Sequence, residues 1–276
     1  MTHSRQFAKR DAVVVLLVAS LLAGNLSAVG TAGRERVKRA VCLANLKQMA
    51  QAWLLYADDN DDKIVNGEAE YGTPGTCTTP AWGHHAKEKW WVGTDCHPSY
   101  QVGKNHPREV QIQAIRAGAL FRYTGDENLY HCPAGIAGSV RTYSIVDAMN
   151  GLYRDGTRTG GSGVKVGETV LWVKKTTEIV IPGPAERLVL VDEGRVTPDS
   201  CGVHYLHPRW WDPPCVRHGA GTNVSFADGH GEHWKWEGAE TITAGLAGIH
   251  QYEPTTPEGK RDLRRMQTAV WGRIGY

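Results

Sequence analysis

Three hydrophobic patterns divide the chain. The first is unbroken: from Ala12 to Val29 there is no charged residue, and Val, Leu and Ala dominate. Its length is close to the ~20 residues a helix needs to cross a hydrocarbon core. Gly24, Asn25 and Ser27 make it a weak span. Basic residues flank it on both sides, Arg5, Lys9 and Arg10 before it and Arg34, Arg36, Lys38 and Arg39 after it, so charge sets no orientation. The second pattern has a helical period. Cys42, Leu46, Met49, Trp53 and Tyr56 fall on one stripe, and Asn45, Lys47, Gln48 and Gln51 fall away from it. One long helix through both runs predicts a membrane anchor over residues 1–32 and, over 33–57, the spine of a folded domain that continues to 276. The acids of Asp58-Asp-Asn-Asp-Asp62 oppose the helix macrodipole and stop the helix near Ala57. A competing reading makes residues 1–32 a secretory signal peptide, with Gly30-Thr31-Ala32 as the small-residue cleavage site.

The third pattern is extended. Leu188 to Asp192 is apolar without alternation and reads as a strand buried on both faces, in the middle of a sheet. Asn223 to Ala227 and His230 to Trp236 flank Asp228-Gly229, a dipeptide that favours a tight hairpin turn. Weaker strand signals lie at Ser139 to Met149 and Thr169 to Val173, and a short extended piece at Leu129 to Pro133. Short helices are predicted within 109–123 and 260–276. Residues 67–108 and 199–214 hold neither period and are rich in Trp, His, Pro and Gly. Loops of that length are functional or stapled.

Composition sharpens this picture. With 31 basic and 29 acidic residues the formal charge is +2, so nothing calls for nucleic acid as a partner. Ten Trp and 10 Tyr stand against 3 Phe, a bias toward half-buried positions that keep a polar contact. Six Cys with no C-x-x-C pair argue against a zinc ribbon or a thioredoxin-type site. Beside an N-terminal membrane segment, disulfides are the better account. The pairing expected is Cys77–Cys96 and Cys201–Cys215, each closing a local loop, with Cys42–Cys132 tying the spine helix to the body.

Candidate chemistry is sparse. Twelve His include His84-His85, His204 with His207, and His218, His230 and His233 around the hairpin. A metal site needs three or four donors to converge, and no H-E-x-x-H occurs. The acidic run after the spine begins like a calcium loop, but Lys63 stands where the sharp turn needs Gly and Ala69 where a bidentate Glu belongs, leaving calcium only a weak site there. There is no G-x-S-x-G and no phosphate-binding glycine loop. Asp192 and Glu193 are neighbouring carboxylates whose side chains point to opposite faces of a strand. Catalysis is not expected. Trp82, Trp90, Trp91, Trp210 and Trp211 on the long loops offer a second function, stacking platforms for a surface polysaccharide.

Several segments resemble, in order, the pseudopilin-like proteins of type II secretion that carry a prepilin-type N-terminus. They are Cys42-Leu-Ala-Asn-Leu-Lys-Gln48, Tyr56-Ala-Asp-Asp-Asn60, Gly118-Ala-Leu-Phe-Arg-Tyr123, Leu129-Tyr-His-Cys-Pro133, Arg187-Leu-Val-Leu-Val-Asp-Glu193, and Asp262 to Trp271. Arg217-His218, followed after nine residues by Asp228-Gly229, resembles the H-X9-DG signature of that group. The chain departs from the group at its processing site. Lys9-Arg10 leads into Asp11-Ala12-Val13, without the Gly and Glu of a prepilin leader. The resemblance implies an α+β, pilin-like fold, a long N-terminal helix on an antiparallel sheet with long disulfide-stapled loops. It implies a structural or assembly role beside other pseudopilins or secretion-system components, with single-pass inner-membrane localisation and an extracytoplasmic body. It also makes His218 and Asp228 organisers of the hairpin (217–236), with Asp228 accepting turn N–H bonds and His218 bonding across to it or sharing a metal with it.

Overall fold

The computed structural model describes residues 9–69, 88–93, 106–195, 197 and 199–276, with side chains described from residue 30 onward. Two compact units divide at Lys38/Arg39. Helix α1 is Lys9–Asp58, and residues 39–58 of it belong to the larger unit. Among the described residues no helix is long and apolar enough to cross a membrane. That finding overturns the expected single-pass inner-membrane anchor. The small and polar residues Gly24, Asn25 and Ser27, visible in the sequence, subtract from the transfer free energy such a span requires.

The larger unit is α+β. Its elements are α2 (Arg108–Ala117), α3 (Phe121–Thr124), β1 (Tyr143–Ile145), the small ribbons β2/β3 (Arg158–Thr159, Ser162–Gly163) and β4/β5 (Lys165–Val166, Thr169–Val170), then β6 (Leu188–Asp192), β7 (Gly221–Phe226), β8 (Gly231–Lys235), α4 (Ala239–Leu246) and α5 (Pro257–Trp271). The main sheet is antiparallel in the order β1-β6-β7-β8. All five residues of β6 are buried, as a central strand without alternation requires.

The predicted stripe on α1 is the face that seals the core. Cys42, Leu46, Met49 and Trp53 are fully buried and Tyr56 nearly so, in one cluster with Leu188, Leu190, Val191 and Val224 of the sheet. Two further contacts set how closely the helix lies on the sheet. Asn223 on β7 donates its side-chain N–H to the Arg39 carbonyl at 3.0 Å. Gly231 on β8 stands so near the helix that a Cβ there would lie 3.0 Å from Leu43 Cδ1 and 3.2 Å from Lys47 Cγ. Asn45, read as facing away, is buried instead, because its amide donates to the His131 carbonyl at 3.2 Å. The helix ends at Asp58. Asp61 and Asp62 then take positive φ of 55° and 63°, and Asn60 donates back to the Tyr56 carbonyl.

Elsewhere local geometry modifies the prediction. The helix expected within 109–123 divides at Gly118, whose backbone is extended and where a Cβ would sit 2.2 Å from the Trp91 carbonyl oxygen. Residues 127–130 form a 3-10 turn rather than an extended piece, started by Asp126 accepting the Asn128 N–H. Helix α4 was not anticipated. Its mate α5 was, and it buries Leu263, Met266, Val270 and Trp271. The loops are fastened from inside by indoles. Trp172, Trp236 and Trp271 each donate Nε1–H to a loop carbonyl, those of Gly151, Cys215 and Val203, at 2.9, 2.8 and 3.0 Å.

Candidate metal centre

Four elements bring four potential ligands to one buried point. Cys42 comes from α1. Cys132 follows the 3-10 turn Glu127–Tyr130. Asp192 ends β6, and His218 stands in the segment leading into β7. One ligand atom from each lies within 4.8 Å of all the others. Cys42 Sγ is 3.2 Å from Asp192 Oδ2, Cys132 Sγ is 3.2 Å from His218 Nε2, and His218 Nε2 is 3.2 Å from Asp192 Oδ2. Cys42, Cys132 and Asp192 are fully buried and His218 is 2% exposed.

Local structure fixes each donor. The Cys132 N–H donates to Thr142 Oγ1 at 2.6 Å, and the Ala134 N–H points at Cys132 Sγ at 3.3 Å. Thr222 on β7 donates its hydroxyl to the Asp192 carbonyl at 3.0 Å, which pins the end of β6. The His218 N–H donates to the Gly221 carbonyl at 3.1 Å.

The site is electrostatically loaded. Burial pushes the Cys42 thiol up, but hydrogen bonds from Cys132, His218 and Tyr143 outweigh it and hold the group below its ordinary value. The Cys132 thiol moves the other way, raised by its hydrogen bond to Cys42, by burial and by the Asp192 charge. Burial disfavours a charged His218, yet the bonds to Asp192 and Cys42 prevail and raise it to about 9. Asp192 Oδ1 and His218 Nδ1 are buried without a hydrogen-bond partner. Among the described residues, the one ionic partner of Asp192 is His218.

The sequence-derived sites fare differently. His218 is in the cluster, but Asp228 is not. Asp228 is exposed in the hairpin turn and accepts from the His230 backbone N–H at 3.0 Å, with His230 Nδ1 at 2.6 Å. The expected His218–Asp228 partnership is therefore replaced by His218–Asp192 and Asp228–His230. Asx-turn geometry satisfies Asp228 locally, before it can reach across the sheet. Cys42, Cys132, Cys201 and Cys215 are free and buried, so no disulfide joins either expected pair among the described residues. Cys42 and Cys132 are nonetheless neighbours, as are Cys201 and Cys215. Cys77, Cys96 and Trp82 lie outside the described residues.

Among the Trp platforms, Trp91 is enclosed between Tyr130 and the Arg141 guanidinium, and Trp210 packs on Trp236. Trp211 is half-buried under the Arg154 guanidinium, 3.9 Å from its ring, and beside His204. Trp90 borders an open groove with Glu88, Arg116 and Arg122. In the acidic run after the spine, Asp59 receives the Tyr123 hydroxyl at 2.8 Å and Asp61 pairs with Lys63 at 3.9 Å. Both carboxylates have protein partners, and among the described residues this run is not one of the groups of three or more converging metal donors.

Asp192, Cys42 and Cys132 were not assigned as ligands from the sequence. Each belongs to a different element, so no short motif spells the set. The only advance signal was the expected proximity of Cys42 and Cys132.

No family model, curated protein or solved structure matches this chain.

Proposed function

We propose that the chain is a structural subunit of the pseudopilin-like type, acting by assembly rather than catalysis within a type II secretion or type IV pilus-like system. The observation that carries this reading is α1. One face of its Arg39–Asp58 portion is sealed against an antiparallel sheet, while Val41 and Leu55 on it are 43% and 49% exposed. An apolar residue left open on a rigid helix is a natural contact for a neighbouring subunit. The segment resemblance, running in order from Cys42 to Trp271, supports the same reading, and the partners are further pilin-like subunits.

Photo-crosslinkers placed at Val41 and Leu55 in the native cells test it. Adducts with pilin-like proteins, including further copies of this chain, are the expected result. Labelling no stronger than at the exposed α5 residue Lys260 overturns the proposal. Disulfide stapling of the loops belongs to the same reading. Cys201–Cys215 is the pair to examine by non-reducing peptide mapping. A polysaccharide-binding role competes with this reading. Its stacking surface would fall on Trp90 and Trp211, since Trp91 and Trp210 are enclosed, and a glycan array decides it.

A further inference from the structure

The Cys42, Cys132, Asp192 and His218 side chains bring four donor atoms within 4.8 Å of one another, and we propose that they bind a structural zinc ion that clamps α1 to the end of β6. The inference stands independently of the assembly role.

Geometry comes first. A tetrahedral zinc with about 2.3 Å to sulfur and about 2.0–2.1 Å to nitrogen or oxygen holds its ligand atoms roughly 3.3–3.8 Å apart. Three of the separations here are 3.2 Å, and every ligand atom lies within 4.8 Å of the rest. Accommodating an ion therefore needs only small side-chain adjustments, with these three edges opening by a few tenths of an ångström.

Donor chemistry is the second argument. Two sulfurs, one imidazole and one carboxylate select zinc over calcium or magnesium, which take all-oxygen shells. Four protein ligands leave no open position, and none of the four is exposed by more than 2%. That is the arrangement of a structural site, not a catalytic one.

The third argument is charge. Among the described residues no guanidinium or ammonium pairs with Asp192, whose single ionic partner is His218. Burying a carboxylate beside two thiols is costly unless a cation is present. Zinc supplies that cation and displaces the thiol protons and the second imidazole proton to solvent, so His218 binds as a neutral imidazole through Nε2. The Ala134 N–H directed at Cys132 Sγ at 3.3 Å is the kind of outer contact that stabilises a metal-bound thiolate. A Cys42–Cys132 disulfide is the chemical rival, because it would consume both sulfurs and leave the Asp192–His218 pair without a role.

The test uses the full chain, purified without chelator and in the presence of reductant. Elemental analysis is expected to find one zinc per chain. Replacement by cobalt(II) is expected to give the ligand-field bands of a tetrahedral centre and a thiolate charge-transfer band. Asp192→Asn and His218→Gln keep the side-chain volume and should each weaken metal affinity at least tenfold, since even loss of an outer-shell partner costs about 10–100-fold. Cys201→Ser, outside the cluster, should leave it unchanged. Two results overturn the proposal. One is a peptide map of protein purified without reductant that shows a Cys42–Cys132 disulfide. The other is reduced, folded protein that takes up neither zinc nor cobalt. The wild-type measurements stand even if a variant fails to fold.

Discussion

Asp192 and Glu193 are adjacent in sequence and serve two buried polar clusters that solve the same problem differently. Asp192 joins Cys42, Cys132 and His218. Glu193 joins a carboxylate network beside β1: it accepts the Ser144 hydroxyl at 2.5 Å and the Thr197 hydroxyl at 3.0 Å, and pairs with Arg195 at 3.2 Å. Further along that network Asp147 is ion-paired with Arg154 and receives the Ser200 hydroxyl at 2.7 Å, while Asp212 accepts the Gly202 N–H at 2.6 Å. Here the chain brings its own permanent cations. At the sulfur cluster it brings only a titratable imidazole. The comparison teaches that buried acids in this fold are compensated one by one, and that the cluster lacking a guanidinium is the place where an external cation fits.

Removing a resident cation is the harshest way to probe the contrast. Arg154→Met leaves Asp147 buried without its cation, and should cost up to about 3 kcal/mol in a urea titration at about pH 9, where the wild-type carboxyl is ionised. Burial already pushes Asp147 up to about 7 against the opposing pull of Arg154. Without Arg154 it rises further, so the loss should shrink at about pH 5, where the carboxyl can keep its proton. Equal loss at both values would mean that the guanidinium acts through packing on Trp211 instead.

A third solution to acid burial uses no cation at all, and it sharpens the comparison at intermediate cost. Asp262 on α5 is 3% exposed and accepts the backbone N–H groups of Glu237 and Gly238 at 3.0 and 2.8 Å. Asp262→Ala strands those donors at the start of α4 and should destabilise the protein by about 1–3 kcal/mol. Thermal unfolding measures it; a change within the error of a surface substitution would show that water replaces the carboxylate.

The smallest effect belongs to a half-buried counterpart. Burial opposes ionisation of Glu240, but hydrogen bonds from Thr256 and Thr255 together outweigh it and lower it from 4.5 to about 2. Because the folded value is depressed, its contribution is complete above about pH 4.5 and fades as pH falls toward about 2. Denaturation midpoints near pH 6 and about pH 3 should converge for wild type and Glu240→Gln on the acid side and differ modestly on the neutral side. Parallel profiles would remove Glu240 from the acid response.

Much of the framework was readable in advance because it rests on period. The α1 stripe, the five residues of β6 and the Asp228-Gly229 hairpin each repeat a local signal that burial then enforces. What escaped prediction was made by long-range pairing. Asn45 is buried because of a carbonyl 86 residues away, and Cys42 meets Asp192 across 150 residues. The His218–Asp228 expectation failed for the complementary reason. A turn aspartate has a partner two residues on and never enters the competition for a distant one.

The unusual ratio of ten Trp to 3 Phe has a use that area alone does not explain. A phenyl ring could fill the spaces of Trp172, Trp236 and Trp271, but it would give up the hydrogen bonds to the carbonyls of Gly151, Cys215 and Val203. Each indole is thus a rivet whose head lies in the core and whose shank grips a connecting segment. Peeling such a segment away breaks the rivet's grip, so these long connections should come loose together with the interior rather than before it.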